Sequence, residues 1–122
     1  MSDPVNFSQW MKTVQASMEQ ALSDYLPAAS TVPPRLHEAM RYATLDGGKR
    51  VRPLLAFAAG ELFGASAALM ARAGAAVEMI HAYSLAHDDM PCMDDDALRR
   101  GKPTVHVKYD EATDLLVGDA LQ

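Results

Sequence analysis

Cysteine is nearly absent. Cys92 stands alone in 122 residues, which excludes an internal disulfide and fits a reducing compartment, so the cytoplasm is the expected location. Aromatic side chains make up only 7% of the chain, and no lysine–arginine stripe interleaves with them, so a nucleic-acid partner is not expected. Long apolar runs are missing too. The longest weakly polar stretch, residues 64–80, is interrupted by Arg72 and Glu78, and no membrane span is read. The first residues lack a basic stretch followed by an apolar run, so no signal peptide is read either. No segment alternates convincingly as a strand would, and there is no internal repeat or low-complexity tract.

What is present favours helices. The chain is 49% hydrophobic and rich in alanine and methionine, and its length suits one domain. Phe7, Trp10, Met11, Val14, Met18, Leu22 and Tyr25 recur at three- and four-residue steps, which predicts a helix begun by Asp3-Pro4 or Ser8. Pro33-Pro34 opens a second helix that runs to about Leu45 and stops at Gly47-Gly48, the expected place for a left-handed cap. A third follows Pro53, from Leu54 to Phe63. Ser66 is read as the N-cap of a long fourth helix reaching Asp88-Asp89, and Asp110 as the cap of a last one over 111–122. Residues 91–103 read as loop or irregular helix, with a turn of helix over 104–108. The expected fold is all-α. The last helical pattern stops in mid-stripe, which suggests a piece of a longer protein.

The net charge of −5 is unevenly spread. Asp88, Asp89, Asp94, Asp95 and Asp96 crowd together, answered by Arg99, Arg100 and Lys102. Carboxylates cannot hold a phosphate directly, but they hold Mg²⁺, which keeps part of its water shell and accepts phosphate oxygens as further ligands. On an unbroken helix Asp88 and Asp94 would point different ways, and Pro91, which bends or ends the helix, is expected to redirect Asp94 toward the pair. The run is not an EF-hand loop, and Cys92 with His87 cannot build a closed zinc site. A solvated acidic loop is the bland alternative.

A second cluster, Gly47-Gly48-Lys49-Arg50-Val51-Arg52-Pro53, lies about forty residues upstream. Lys49 and Arg52 sit three residues apart near a helix start and favour an anion, while Arg50 is expected to point elsewhere. The spacing is not that of a nucleotide-hydrolysing P-loop. His81 lies two helical turns before Asp88 on the same face, and Tyr83 and Ser84 about one turn before it. His37 and His106 read as surface or packing residues, and His87 as facing the core.

The Gly-Gly-Lys-Arg-x-Arg-Pro block, the Asp88-Asp89-x-x-x-x-Asp94 run with Arg99-Arg100-Gly101, the segment 81–87 and Gly118-Asp119-Ala120-Leu121 together resemble the trans-isoprenyl diphosphate synthases, over residues 36–122. The likeness is greatest to the bacterial, farnesyl-forming branch of that family, and the inserted Pro91-Cys92 resembles both that branch and the plant-like geranylgeranyl branch. The resemblance implies one all-α helical bundle of which residues 1–122 are the N-terminal part. It implies a prenyltransferase joining isopentenyl diphosphate to dimethylallyl or geranyl diphosphate to give farnesyl diphosphate. Asp88 and Asp94, supported by Asp89, would hold two or three Mg²⁺ ions on the allylic diphosphate, which Arg99 also contacts. Lys49, Arg52, His81 and Arg100 would bind isopentenyl diphosphate. Tyr83, with Ser84 beside it, would limit chain length. The family's second aspartate-rich motif is not among these residues, so the 122-residue chain by itself is expected to be inactive, and to form a homodimer or larger assembly. A geranylgeranyl or geranyl diphosphate synthase, and a non-catalytic Mg²⁺–diphosphate-binding helical module, are the alternatives.

Overall fold

The computed structural model describes residues 4–122, with side chains from Asn6 onward. In chain order it contains α1 (Pro4–Tyr25), α2 (Pro34–Thr44), α3 (Val51–Leu62), α4 (Ala67–Asp88), β1 (Leu98–Arg99), β2 (Lys102–Pro103), α5 (Val105–Lys108) and α6 (Glu111–Leu121). The fold is all-α. The one strand pair among the described residues, antiparallel with Leu98 opposite Pro103 and Arg99 opposite Lys102, is too short for alternation to betray it in the sequence. Among the described residues, no helix is long and apolar enough to cross a membrane.

Local chemistry explains most boundaries. Pro33 caps α2 and Pro34 begins it, where a missing backbone N–H costs nothing. The Ser66 hydroxyl accepts from the Leu69 amide at 3.1 Å at the head of α4. Asp110 accepts from the Thr113 amide at 2.7 Å to cap α6. That bond, with Arg35 beside it, holds the Asp110 carboxyl down at about 2. Asp3 lies outside the described residues, and Ser8 is interior to α1 rather than its cap. α3 starts at Val51, before Pro53, because proline in a first turn has no intrahelical bond to lose.

One expectation is corrected. Gly47-Gly48 does not form a left-handed cap. α2 ends at Thr44 with Leu45 extended, and the left-handed residues are Asp46 (φ 55°) and Arg50 (φ 57°). A non-glycine residue adopts that conformation only where other contacts compensate it.

The described residues fall into two compact units. The first joins the segment ending at Tyr25 to Lys49–Glu78, so it holds α1, α3 and the first part of α4. Val14, Met18 and Leu22, the middle of the stripe read from the sequence, are buried there with Phe57, while Phe7 and Tyr25 at its ends stay half-exposed. The second unit joins Leu26–Gly48 to Met79–Gln122. Its core is Leu26, in the segment before α2, with Ala39, Met40, Ala82, Ala86, Val105, Val117 and Leu121 from α2, the end of α4, α5 and α6.

In the second unit α6 passes so close to α4 that a methyl group on Gly118 would overlap the His87 ring. That ring is fixed on two sides. Its Nε2 lies 3.0 Å from the Leu115 carbonyl, and Tyr83 meets it edge-on with ring centroids 5.3 Å apart. Gly118→Ala should improve helix propensity by about 1 kcal/mol yet destabilise the chain by about 1–3 kcal/mol net, because the ring must leave both contacts. Denaturant titration checks this; a more stable alanine variant would contradict the close approach.

Candidate functional site

The aspartate run sits where α4 ends. The helix stops at Asp88, and the chain then curls back on its own last turn. The Met93 amide donates to Met90 O at 2.8 Å, Asp94 to Asp88 O at 2.8 Å, Asp95 to Met90 O at 3.0 Å, and Asp96 to Asp89 O at 3.1 Å. Asp95 takes a positive φ of 52° to make the turn. Pro91 therefore falls just past the helix, where the missing N–H is harmless, and the six-residue return brings the Asp94 backbone against that of Asp88.

The three aspartates of the motif are not alike. Asp88 and Asp94 are exposed, whereas Asp89 is only 3% exposed. Its carboxylate accepts two bonds from Arg99, from Nε at 2.9 Å and from Nη2 at 2.6 Å. This is the two-pronged geometry in which arginine binds a carboxylate most firmly. The bond to Asp89 raises the Arg99 pKa above its ordinary value, against the opposing effect of burial. Arg99 itself lies in β1, and the hairpin to β2 is made by Arg100 (φ 51°) and Gly101 (φ 76°).

The rest of the loop is tied down from below. Thr104 Oγ1 donates to the Asp96 carbonyl at 2.7 Å, and His106 Nε2 lies 2.8 Å from the same oxygen. Tyr42, on α2, donates to the Pro103 carbonyl at 2.6 Å. Beside this frame is a cavity of about 50 Å³ whose lining includes Tyr42, Leu85, Asp89, Arg99, Arg100 and Lys102. Its charged wall is mainly cationic, which suits an anion. The Arg100 stem also passes Gly48: a methyl group there would sit 3.6 Å from Arg100 Cδ.

Among the described residues no three His, Cys, Asp or Glu side chains converge on a point able to hold a metal ion. With Asp89 committed to Arg99, a cage made of protein groups alone does not form. Two exposed carboxylates at one turn are instead the hard-oxygen, incomplete donor set that fits Mg²⁺ when phosphate oxygens and water supply the other ligands.

His81, Tyr83 and Ser84 lie on α4 in the same unit, all half-buried. The Ser84 hydroxyl donates back to the His81 carbonyl at 2.7 Å. Lys49 and Arg52 belong to the first unit, flank the start of α3 and are exposed. Between them Arg50 turns inward, as its place in the pattern suggested. Its Nη1 donates to Glu78 at 2.5 Å and its Nη2 to Glu19 at 2.8 Å. This triad is not legible in the sequence, because its acids, Glu19 and Glu78, lie 31 and 28 residues away. Asp114 also escaped notice. It lies in an ordinary helical pattern but is fully buried, and neither carboxylate oxygen has a hydrogen-bond partner.

The sequence model of the polyprenyl synthetase family matches residues 33–122. A probable farnesyl diphosphate synthase of Sinorhizobium fredii is 57% identical over 113 residues, 93% of this chain and 34% of that protein. A chloroplastic geranylgeranyl pyrophosphate synthase of Catharanthus roseus is 48% identical over 98% of this chain and 33% of its own length. The crystal structure of an FPP/GFPP synthase from Zymomonas mobilis superposes with a TM-score of 0.92 at 51% identity, covering 97% of this chain and 42% of that one. The chain thus spans about a third of the length of the two curated relatives it matches. The extent and specificity of these matches show that the chain belongs to the polyprenyl synthetase family.

Proposed function

We propose that these 122 residues supply the allylic-diphosphate site, and part of the isopentenyl-diphosphate site, of a Mg²⁺-dependent prenyltransferase that makes farnesyl diphosphate. The observation that carries the reading is the turn at the end of α4. Asp94 is bonded back to Asp88, Asp89 is spent on Arg99, and two carboxylates and a fixed guanidinium remain at one place. Asp88 and Asp94 would hold Mg²⁺, which when bound neutralises charge on the departing diphosphate. Arg99, locked by Asp89 before any substrate arrives, offers its remaining N–H groups to the same diphosphate without reorganisation. As the allylic carbon–oxygen bond breaks, the isopentenyl double bond attacks that carbon and a proton is lost. Lys49, Arg52, His81 and Arg100 are the groups assigned to isopentenyl diphosphate. Tyr83, with Ser84 turned back onto its own helix, is assigned to limiting the product.

A lone exposed thiol at Cys92 suits the cytoplasm. Exposed apolar side chains such as Leu62 (82%) and Phe63 (88%) support homodimeric or higher association. Residues 1–122 are read as the N-terminal part of a single domain. The geranylgeranyl alternative is supported by the 48% identity to the Catharanthus roseus protein. Replacing the matched segment of the Zymomonas mobilis synthase with this chain gives a complete enzyme for the test. The chimera should convert geranyl and isopentenyl diphosphates to farnesyl diphosphate in Mg²⁺, while the 122 residues alone should release no product. A folded chimera without condensation would refute the proposal, and a longer main product would favour the geranylgeranyl reading.

A further inference from the structure

We infer that Arg50, clamped by Glu19 and Glu78, is a positioning residue that sets the diphosphate-binding geometry of its neighbours Lys49 and Arg52. The inference rests on the proposed role of those two residues and adds to it the device that holds them.

The segment entering α3 is fixed at three points within the first unit. Gln15 Nε2, on α1, donates to the Lys49 carbonyl at 2.9 Å. Arg50 Nη2 reaches Glu19, one turn further along α1, and Arg50 Nη1 reaches Glu78 on α4. The Arg50 and Glu78 side chains are 5% and 6% exposed, so this pair is shielded from solvent. The two acids outweigh the effect of burial and raise the arginine's pKa above its ordinary value. The cation is therefore permanent.

Arg50 also occupies the N-cap position of α3 in the left-handed region, at φ 57° and ψ 45°, where glycine would be the unstrained choice. An arginine held there against its backbone preference marks a place where the side chain is needed. The consequence is mechanical. With residue 50 pointing inward, residues 49 and 52 are presented outward on either side of it, and both are exposed. The flexible Lys49 stem then begins from a fixed backbone rather than a mobile loop, which narrows the space its ammonium searches. Lysine cannot reproduce the clamp, because one ammonium does not offer the planar fork that reaches two carboxylates at once.

The test uses the chimeric synthase. Arg50→Gly combined with Glu78→Gln accepts the left-handed backbone and leaves no buried carboxylate without a counter-charge, so the protein should fold. The double variant should raise KM for isopentenyl diphosphate roughly tenfold, leaving KM for geranyl diphosphate and kcat within about threefold. Arg50→Lys should fall between it and the parent. Lys49→Ala is the control for the underlying reading and should raise the same KM. If Lys49→Ala raises KM and the Arg50 variants do not, the positioning role is wrong while the site stands. If neither moves it, the assigned isopentenyl site falls, and this inference falls with it. A uniform loss of active enzyme, with both KM values unchanged, would mean that Arg50 only holds the fold and would also overturn the inference.

Discussion

Asp88→Ala is expected to lower the turnover of the complete chimeric synthase by a factor of about 10² to 10³, while thermal unfolding stays within about 0.5 kcal/mol of the parent. The two halves of this expectation come from one observation. Asp88 is exposed at the last residue of α4, and its backbone carbonyl, not its side chain, accepts the Asp94 amide that shapes the turn. Truncating the side chain removes the proposed ligand oxygen and leaves the scaffold. Asp89→Ala should behave differently. It would strip Arg99 of both its carboxylate bonds and empty a buried position, so activity and stability should fall together. Steady-state kinetics across a Mg²⁺ titration, with a melting curve for each variant, distinguishes the cases. An Asp88→Ala enzyme with near-normal turnover would remove Asp88 from the metal site and leave the Asp94 assignment without its partner.

The contrast between Asp88 and Asp89 also marks how far the sequence could be read. Features set by a few adjacent residues were legible. The Pro33-Pro34 opening, the Ser66 and Asp110 caps and the helix break before Pro91 are short-range bonding patterns that the letters spell out. The candidate site was legible only as residue types and spacing, three aspartates followed by two arginines. Their division of labour was not. Three identical letters do not reveal that one of them is buried under Arg99. The same limit explains Gly47-Gly48 and Arg50. Glycine was the local expectation for a left-handed residue, but ion pairs to Glu19 and Glu78, from distant helices, place that conformation on arginine. Long-range electrostatics overrode local preference, and no window of neighbouring residues contains that information.

Asp114 carries the second large effect, and its sign depends on pH. Burial pushes its carboxyl up to about 6, with Asp89 adding to the rise, and His106 on α5 and His87 on α4 only partly oppose it. The ordinary value for an aspartate is 3.8, so between about pH 4 and 6 the folded chain holds a proton that the unfolded chain has lost. Stability contributed by the neutral, buried acid is thus complete below about pH 4, declines as pH rises, and is gone above about 6. A shift of this size corresponds to about 2–3 kcal/mol. Asp114→Asn keeps the shape and removes the ionisable group. It should match the parent at pH 4 and exceed its unfolding free energy by about 2–3 kcal/mol at pH 7.5. Asp114→Ala should show the same pH dependence, with an offset from its better helix propensity and the small void it leaves. Denaturant titrations of the complete enzyme and both variants at the two pH values decide the matter. A parent-to-asparagine difference that stays constant with pH would mean that the fold does not raise the Asp114 carboxyl, and the neutral, buried acid would be ruled out.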